Sequence, residues 1–126
     1  MTIISCNKAT SDLKIYNGRT ADGKDSARLE IKLKKNNFYG HYKVYYHDKT
    51  MDSGTVTGSK IGDTLKGRFT YVSRHNARDQ KPIALLQDGK NLKLGIGEIL
   101  TGFNIPFYED GSITFPDSLL YFNNVQ

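Results

Sequence analysis

The sequence predicts an all-β domain, a single antiparallel up-and-down barrel of about eight strands, on three observations. Apolar and polar residues alternate with period two over most of the chain. Turn-forming residues break that alternation roughly every eight to twelve positions, the rhythm of a meander. Glycines fall inside the strand patterns, at Gly40, Gly58, Gly67 and the pair Gly95 and Gly97, where a closing sheet bends and a side chain would crowd. An open β-sandwich and an OB-type barrel share these features and stand as alternatives.

The elements follow in order. Leu13 to Gly18 opens the sheet. Ala27, Leu29, Ile31 and Leu33 then face one way, with Arg28, Glu30, Lys32 and Lys34 facing the other, a strand with a buried and a wet side. Lys35-Asn36-Asn37 turns the chain. Phe38, Gly40, Tyr42, Val44 and Tyr46 share the inner face of the next strand, with Tyr39, His41, Lys43 and Tyr45 opposite, and the polar cluster from His47 to Gly54 ends it. Val56 and Gly58 continue inside. Ile61-Gly62-Asp63-Thr64 reads as a tight turn, after which Leu65, Gly67, Phe69 and Tyr71 alternate with Lys66, Arg68 and Thr70. Arg74 to Lys81 reads as a charged connection. Ile83 to Gln87 is a strand, Asp88-Gly89 a hairpin turn, and Leu92, Leu94 and Ile96 mark the returning strand. Thr101 to Gly111 reads as a longer loop, Ser112 to Phe115 as a short strand, and Pro116 starts a terminal segment whose Leu119, Leu120 and Phe122 pack back on the core.

The 126 residues, 37% hydrophobic, suffice for one core. The organisation expected is a tether over 1–11 and one barrel domain over 12–126. No apolar run exceeds four residues, against about 20 needed to cross a bilayer as a helix. A single cysteine excludes an internal disulfide and a Cys-rich zinc site. The net charge is +5, yet its distribution is lopsided: all 18 basic residues precede position 101, and the segment after it holds acids only. Lys32, Lys34, Lys43, Lys66 and Arg68 fall on outward faces among Tyr39 and Tyr45, which reads as a solvated face guarding strands against edge pairing rather than as a nucleic-acid surface.

Ile3-Ile4-Ser5-Cys6-Asn7 has the form of a lipobox, with an aliphatic residue three before the cysteine and a small one just before it. Five residues precede Cys6, fewer than a whole signal segment, so the expectation is lipidation of Cys6 in a native precursor and an address in the cell envelope, periplasmic or outer-membrane. Without the lipid the address expected is cytoplasmic.

The order of motifs adds a resemblance. Ile15-Tyr16, Leu29-x-Ile31-x-Leu33, Gly40-His41-Tyr42, Gly54-Thr55-Val56-Thr57-Gly58, Gly62-Asp63-Thr64-Leu65-x-Gly67-x-Phe69-x-Tyr71 and Asn91-Leu92-x-x-Gly95-x-Gly97-Glu98 together resemble small bacterial envelope lipoproteins with a lipocalin-like β-barrel. The resemblance covers about residues 12 to 98. It implies an address and a fold, but no reaction.

Catalytic patterns are absent from the sequence. There is no Gly-x-Ser-x-Gly elbow, and Ser73, His75 and Asp79 lie in one charged stretch instead of converging from separate elements. Gly95-Ile96-Gly97 lacks the third glycine and the helix of a dinucleotide site. His41, His47 and His75 show no ligand spacing, and Asp48 and Asp52 flank a turn without the glycine and glutamate of a calcium loop. No enzyme activity, metal or cofactor is expected. Strict alternation aims Glu98 inward at a strand end, unless the strand ends before it or its carboxylate pairs with a Tyr hydroxyl or a lysine. With Tyr42, Tyr46, Phe69 and Tyr71 it forms the candidate ligand-binding set, whose simpler role is core packing. The function expected is a non-catalytic binding or interaction module with a small ligand or an envelope protein as partner and the membrane met only through Cys6. The alternatives are a periplasmic inhibitor or immunity-type protein acting through Arg74, His75 and Arg78 in segment 74–81 and through segment 101–111, and an oligonucleotide-binding barrel.

Overall fold

A computed structural model describes residues 13–125, so the expected tether and the lipidation at Cys6 lie outside the described residues. Among them are ten strands: β1 (Leu13–Arg19), β2 (Ser26–Lys34), β3 (Asn37–Tyr45), β4 (Met51–Ile61), β5 (Thr64–Val72), β6 (Arg78–Asp88), β7 (Asn91–Leu94), β8 (Ile99–Gly102), β9 (Ile105–Tyr108) and β10 (Tyr121–Asn124). Eight of them close into an antiparallel barrel in the order β1-β10-β7-β6-β5-β4-β3-β2, and β8 pairs with β9 alone. The chain is therefore a closed, up-and-down, all-β barrel, as the alternation and the glycines predict.

Turn chemistry sets the two ends of the barrel. At one end, Lys34 pairs with Asn37, Ile61 with Thr64 and Asp88 with Asn91, so each connection is two residues long. Lys35, Gly62 and Gly89 take the positive φ such turns demand, at 57°, 61° and 63°. Asn37, expected in a turn, is thus the first residue of β3. At the other end, here called the rim, lie the longer connections 20–25, 46–50 and 73–77 and the excursion 95–120 between β7 and β10.

The interior is a packed core. Phe38, Phe69, Phe122, Leu29, Ile31, Leu65, Leu85, Leu92 and Val56 are essentially without solvent contact and occupy the centre. Two close approaches let a ring this narrow form. Gly58 faces Gly67 across the β4–β5 ladder, and a Cβ on Gly67 would lie 2.0 Å from the Thr57 carbonyl oxygen and 2.7 Å from the Gly58 Cα. Gly18 on β1 lies under the Phe122 ring, whose atoms stand 2.7 Å from where a Cβ would be. That contact seats β10 against β1, where Tyr16 pairs with Asn124 and Gly18 with Phe122.

Three expectations need correction. The connection expected over 74–81 is a short turn at 73–77, and β6 already starts at Arg78, because Arg78 to Lys81 continue the ladder opposite Val72 to Phe69. The loop expected over 101–111 is mostly the hairpin of β8 and β9. Its apolar residues lie on both faces, so no alternation announces it. The short strand expected at Ser112 to Phe115 is reduced to a single bridge between Ile96 and Thr114. Leu120 and Phe122 do pack on the core as expected.

Because the Gly67 neighbours are backbone atoms that cannot rotate away, Gly67→Ala is expected to lower stability by about 3 kcal/mol. Gly102→Ala, whose nearest neighbour is a Phe107 ring atom at 3.4 Å, is expected to change it by about 0.5 kcal/mol or less. Urea denaturation of the two variants checks the contrast.

Candidate functional site

The rim ends of β3, β4, β5 and β6 bring together most of the aromatic set. The inward phase of β3 places Tyr42 beside Phe69 of β5, ring centroids 4.7 Å apart, and Phe69 stacks on Tyr71 at 4.4 Å and 11°. Tyr42 also meets Phe122 edge-on at 5.9 Å. Lys81 of β6 is in phase with Ile83 and Leu85, and its Nζ sits over this stack, 5.2 Å from the Tyr71 centroid and 5.9 Å from that of Phe69.

A second cluster seals the rim. Asp52 is buried on β4, where its Oδ2 accepts from the Tyr46 hydroxyl at 2.6 Å and its Oδ1 from the Arg74 backbone N–H at 2.7 Å. The Arg74 guanidinium lies 4.2 Å above the Tyr46 ring and pairs with Asp48. Burial, followed by the hydrogen bond to Asp52 and its charge, pushes the Tyr46 hydroxyl well above its ordinary pKa. Burial alone dominates the same shift at Tyr42. Asp48 moves the other way, down to about 2, through the Thr50 hydroxyl at 2.5 Å first, then the Thr50 N–H at 3.0 Å, with Arg74 contributing less.

Of the ligand-binding set, Tyr42, Tyr46, Phe69 and Tyr71 gather at the rim, and Glu98 does not join them. Glu98 would point inward only if its strand continued, but β7 ends at Leu94 and the chain leaves the barrel there. Glu98 is exposed, its N–H donating to Ser112 Oγ at 2.9 Å and its carbonyl accepting from the Glu109 N–H at 2.8 Å. Of the partner-binding set, His75 and Arg78 are exposed, whereas Arg74 is folded onto Tyr46. Asp52 is the residue sequence reasoning missed despite a signal: it is in phase with Gly54, Val56 and Gly58 on the inner face.

The hairpin of β8 and β9 projects from the same rim. Gly102 pairs with Ile105, and the two residues between, Phe103 and Asn104, both take positive φ, 53° and 63°. A positive φ is common for Asn and an outlier for a bulky side chain. Phe103 is 101% exposed, and Ile99, Leu100, Ile105 and Phe107 are each at least 40% exposed. The hairpin is held to β6 by Gln80 Nε2 donating to the Asn104 carbonyl at 3.0 Å and, beyond Tyr108, to β5 by an ion pair between Lys66 and Asp110. Between β9 and the β5–β6 wall lies a groove of about 340 Å³ lined by Arg68, Pro82, Ile105 and Phe107. The Arg68 Nε is buried there without a hydrogen-bond partner among the described residues.

Fold and site together define a class: a closed eight-stranded barrel with a packed centre, an aromatic and basic rim, and one apolar hairpin leaving that rim. Comparison with protein-family models, curated proteins and solved structures finds no match.

Asp52→Ala removes the buried acceptor of two partly buried donors and is expected to cost about 2 kcal/mol, against about 1 kcal/mol for Tyr46→Phe, measured by urea denaturation. Since the Asp48 carboxyl titrates below its ordinary 3.8, its contribution to stability is complete above that pH and disappears as pH falls through about 2. Carboxyl NMR titration is expected to show Thr50→Ala raising the Asp48 pKa more than Arg74→Ala does.

Proposed function

We propose that the protein is a non-catalytic interaction module of the bacterial cell envelope, of the inhibitor or immunity type, which recognises a protein partner through the β8–β9 hairpin and the adjoining rim. The observation that carries this reading is Phe103, a large apolar side chain held fully in solvent at a positive φ on the tip of a two-residue turn. Such a conformation costs on the order of 1 kcal/mol, and neither burial nor a contact among the described residues offsets it. Strained, exposed apolar residues on a rigid scaffold are typical of contact surfaces.

The neighbourhood supports the same reading. Gln80 ties the turn to β6, where Arg78 lies two residues away on the same outward face and pairs with Val72, itself 45% exposed. The surface is therefore an apolar centre with a basic edge, the composition of a compact protein-binding patch. The barrel interior supports a surface mode of action, because nine side chains without solvent contact fill it. The envelope address rests on the Cys6 motif and on the resemblance of the barrel motifs.

Burying a Phe side chain contributes about 2 kcal/mol, so Phe103→Ser is expected to weaken partner binding about thirtyfold and leave the melting temperature unchanged. Ile61, equally apolar and 67% exposed in the turn at the opposite end, is the control. A photo-crosslinking amino acid at position 103 in the producing cell is expected to give one protein adduct that the same group at position 61 does not. Identical adduct patterns at 103 and 61 would contradict the proposal.

A further inference from the structure

The mismatch in length between β6 and β7 creates a second feature, which does not depend on the partner reading. β6 runs from Arg78 to Asp88, but β7 pairs only with Leu85 to Asp88, and the last backbone bond on that side of β6 runs from the Gly95 N–H, just past β7, to the Ala84 carbonyl at 2.8 Å. Beyond it no barrel strand flanks the first half of β6 on that side. The excursion covers the gap with Ile96, Tyr108 and Leu119 and leaves a cavity of about 180 Å³ that reaches Tyr42 and Phe69. That is smaller than the roughly 300 Å³ lower end for drug-sized ligands, yet larger than the roughly 150 Å³ that admits benzene.

The side-chain polar groups at this cavity can each donate a hydrogen bond, and one of them, Lys81, can only donate. The Tyr42 and Tyr108 hydroxyls have no hydrogen-bond partner among the described residues, and Lys81 has no ion pair there, only the faces of Phe69 and Tyr71. Among the described residues no carboxylate lines the cavity. Asp52, the buried acid of the rim, is committed to Tyr46 and Arg74, and Asp79 faces the Tyr71 hydroxyl. The remaining wall is apolar: Ile83, Leu94 and Leu119. A group that accepts hydrogen bonds, carries a negative charge and ends a small apolar body complements all of this.

We propose that this cavity binds a small monocarboxylate, with the carboxylate between Lys81 Nζ and the Tyr42 hydroxyl and the apolar body against Ile83, Leu94 and Leu119. A carboxylate is tolerated out of water only when both paired and hydrogen-bonded, and Lys81 and Tyr42 supply one each. Inorganic anions satisfy the donors but leave the apolar wall uncovered. Neutral alcohols cover the wall but leave the ammonium without a counter-charge.

The test titrates the full chain with benzoate, benzyl alcohol, benzylamine and inorganic phosphate, followed by amide NMR. Benzoate is expected to bind saturably, at least about tenfold tighter than the other three, with its largest shifts at Lys81, Gly95 and Ile96. Lys81→Met is expected to weaken benzoate about tenfold and to leave benzyl alcohol unchanged. Tyr42→Phe, which keeps the ring packing, is expected to weaken benzoate severalfold. Equal affinity for benzyl alcohol, equal affinity for phosphate, shifts centred elsewhere, or benzoate binding untouched by Lys81→Met would each overturn the assignment. The wild-type shift map decides the location even where a variant fails to fold.

Discussion

The fold depends on the ladder that seats β10 against β1. Tyr16 to Arg19 pair with Asn124 to Tyr121, and Phe122 reaches the centre only because Gly18 presents no side chain beneath its ring. Closure at this seam removes the last pair of edges and completes the dry interior around Leu29, Ile31, Phe69 and Leu92. It also forces the chain to travel from the end of β7 to the start of β10 outside the wall. The hairpin, the covered flank of β6 and the cavity beside Tyr42 all follow from that detour.

The rim shows how one arrangement serves both packing and recognition. Asp52 fixes the 73–77 turn through the Arg74 N–H and orients Tyr46, so the Arg74 guanidinium is laid across an aromatic face instead of reaching into solvent. Lys81 is left over the Phe69–Tyr71 stack with its charge unpaired among the described residues. Of the basic groups beside β5 and β6 at the rim, Arg74 is structural, whereas Arg78 and Lys81 carry no ion pair among the described residues.

Much of this was legible in the sequence wherever one face of a strand is dry and the other wet. Ala27 to Leu33 and Leu65 to Tyr71 announce β2 and β5 by alternation alone, and the glycines facing each other across β4 and β5 announce closure. The inward phase of Tyr42, Phe69 and Tyr71 is legible for the same reason. The inward phase of Glu98 lapses because the strand ends before it, and Gly95 and Gly97 mark a departure from the barrel, not a bend within it: a Cβ at Gly95 would meet Phe115 and one at Gly97 would meet Ser112. The hairpin from Ile99 to Tyr108 was illegible because it carries apolar residues on both faces and turns on Phe-Asn rather than Asn-Gly. Asp52 carried the inward phase, but an aspartate next to a turn reads first as turn chemistry.

The closing seam is accessible to one direct measurement in solution, the magnetisation transfer between the Gly18 α-protons and the Phe122 ring. A ring this close gives a strong nuclear Overhauser effect and a ring-current shift of the Gly18 signals, with slow amide exchange along both β1 and β10. Absence of that effect, with β10 amides exchanging as fast as those of an unstructured tail, would contradict the closed barrel and everything placed on its rim.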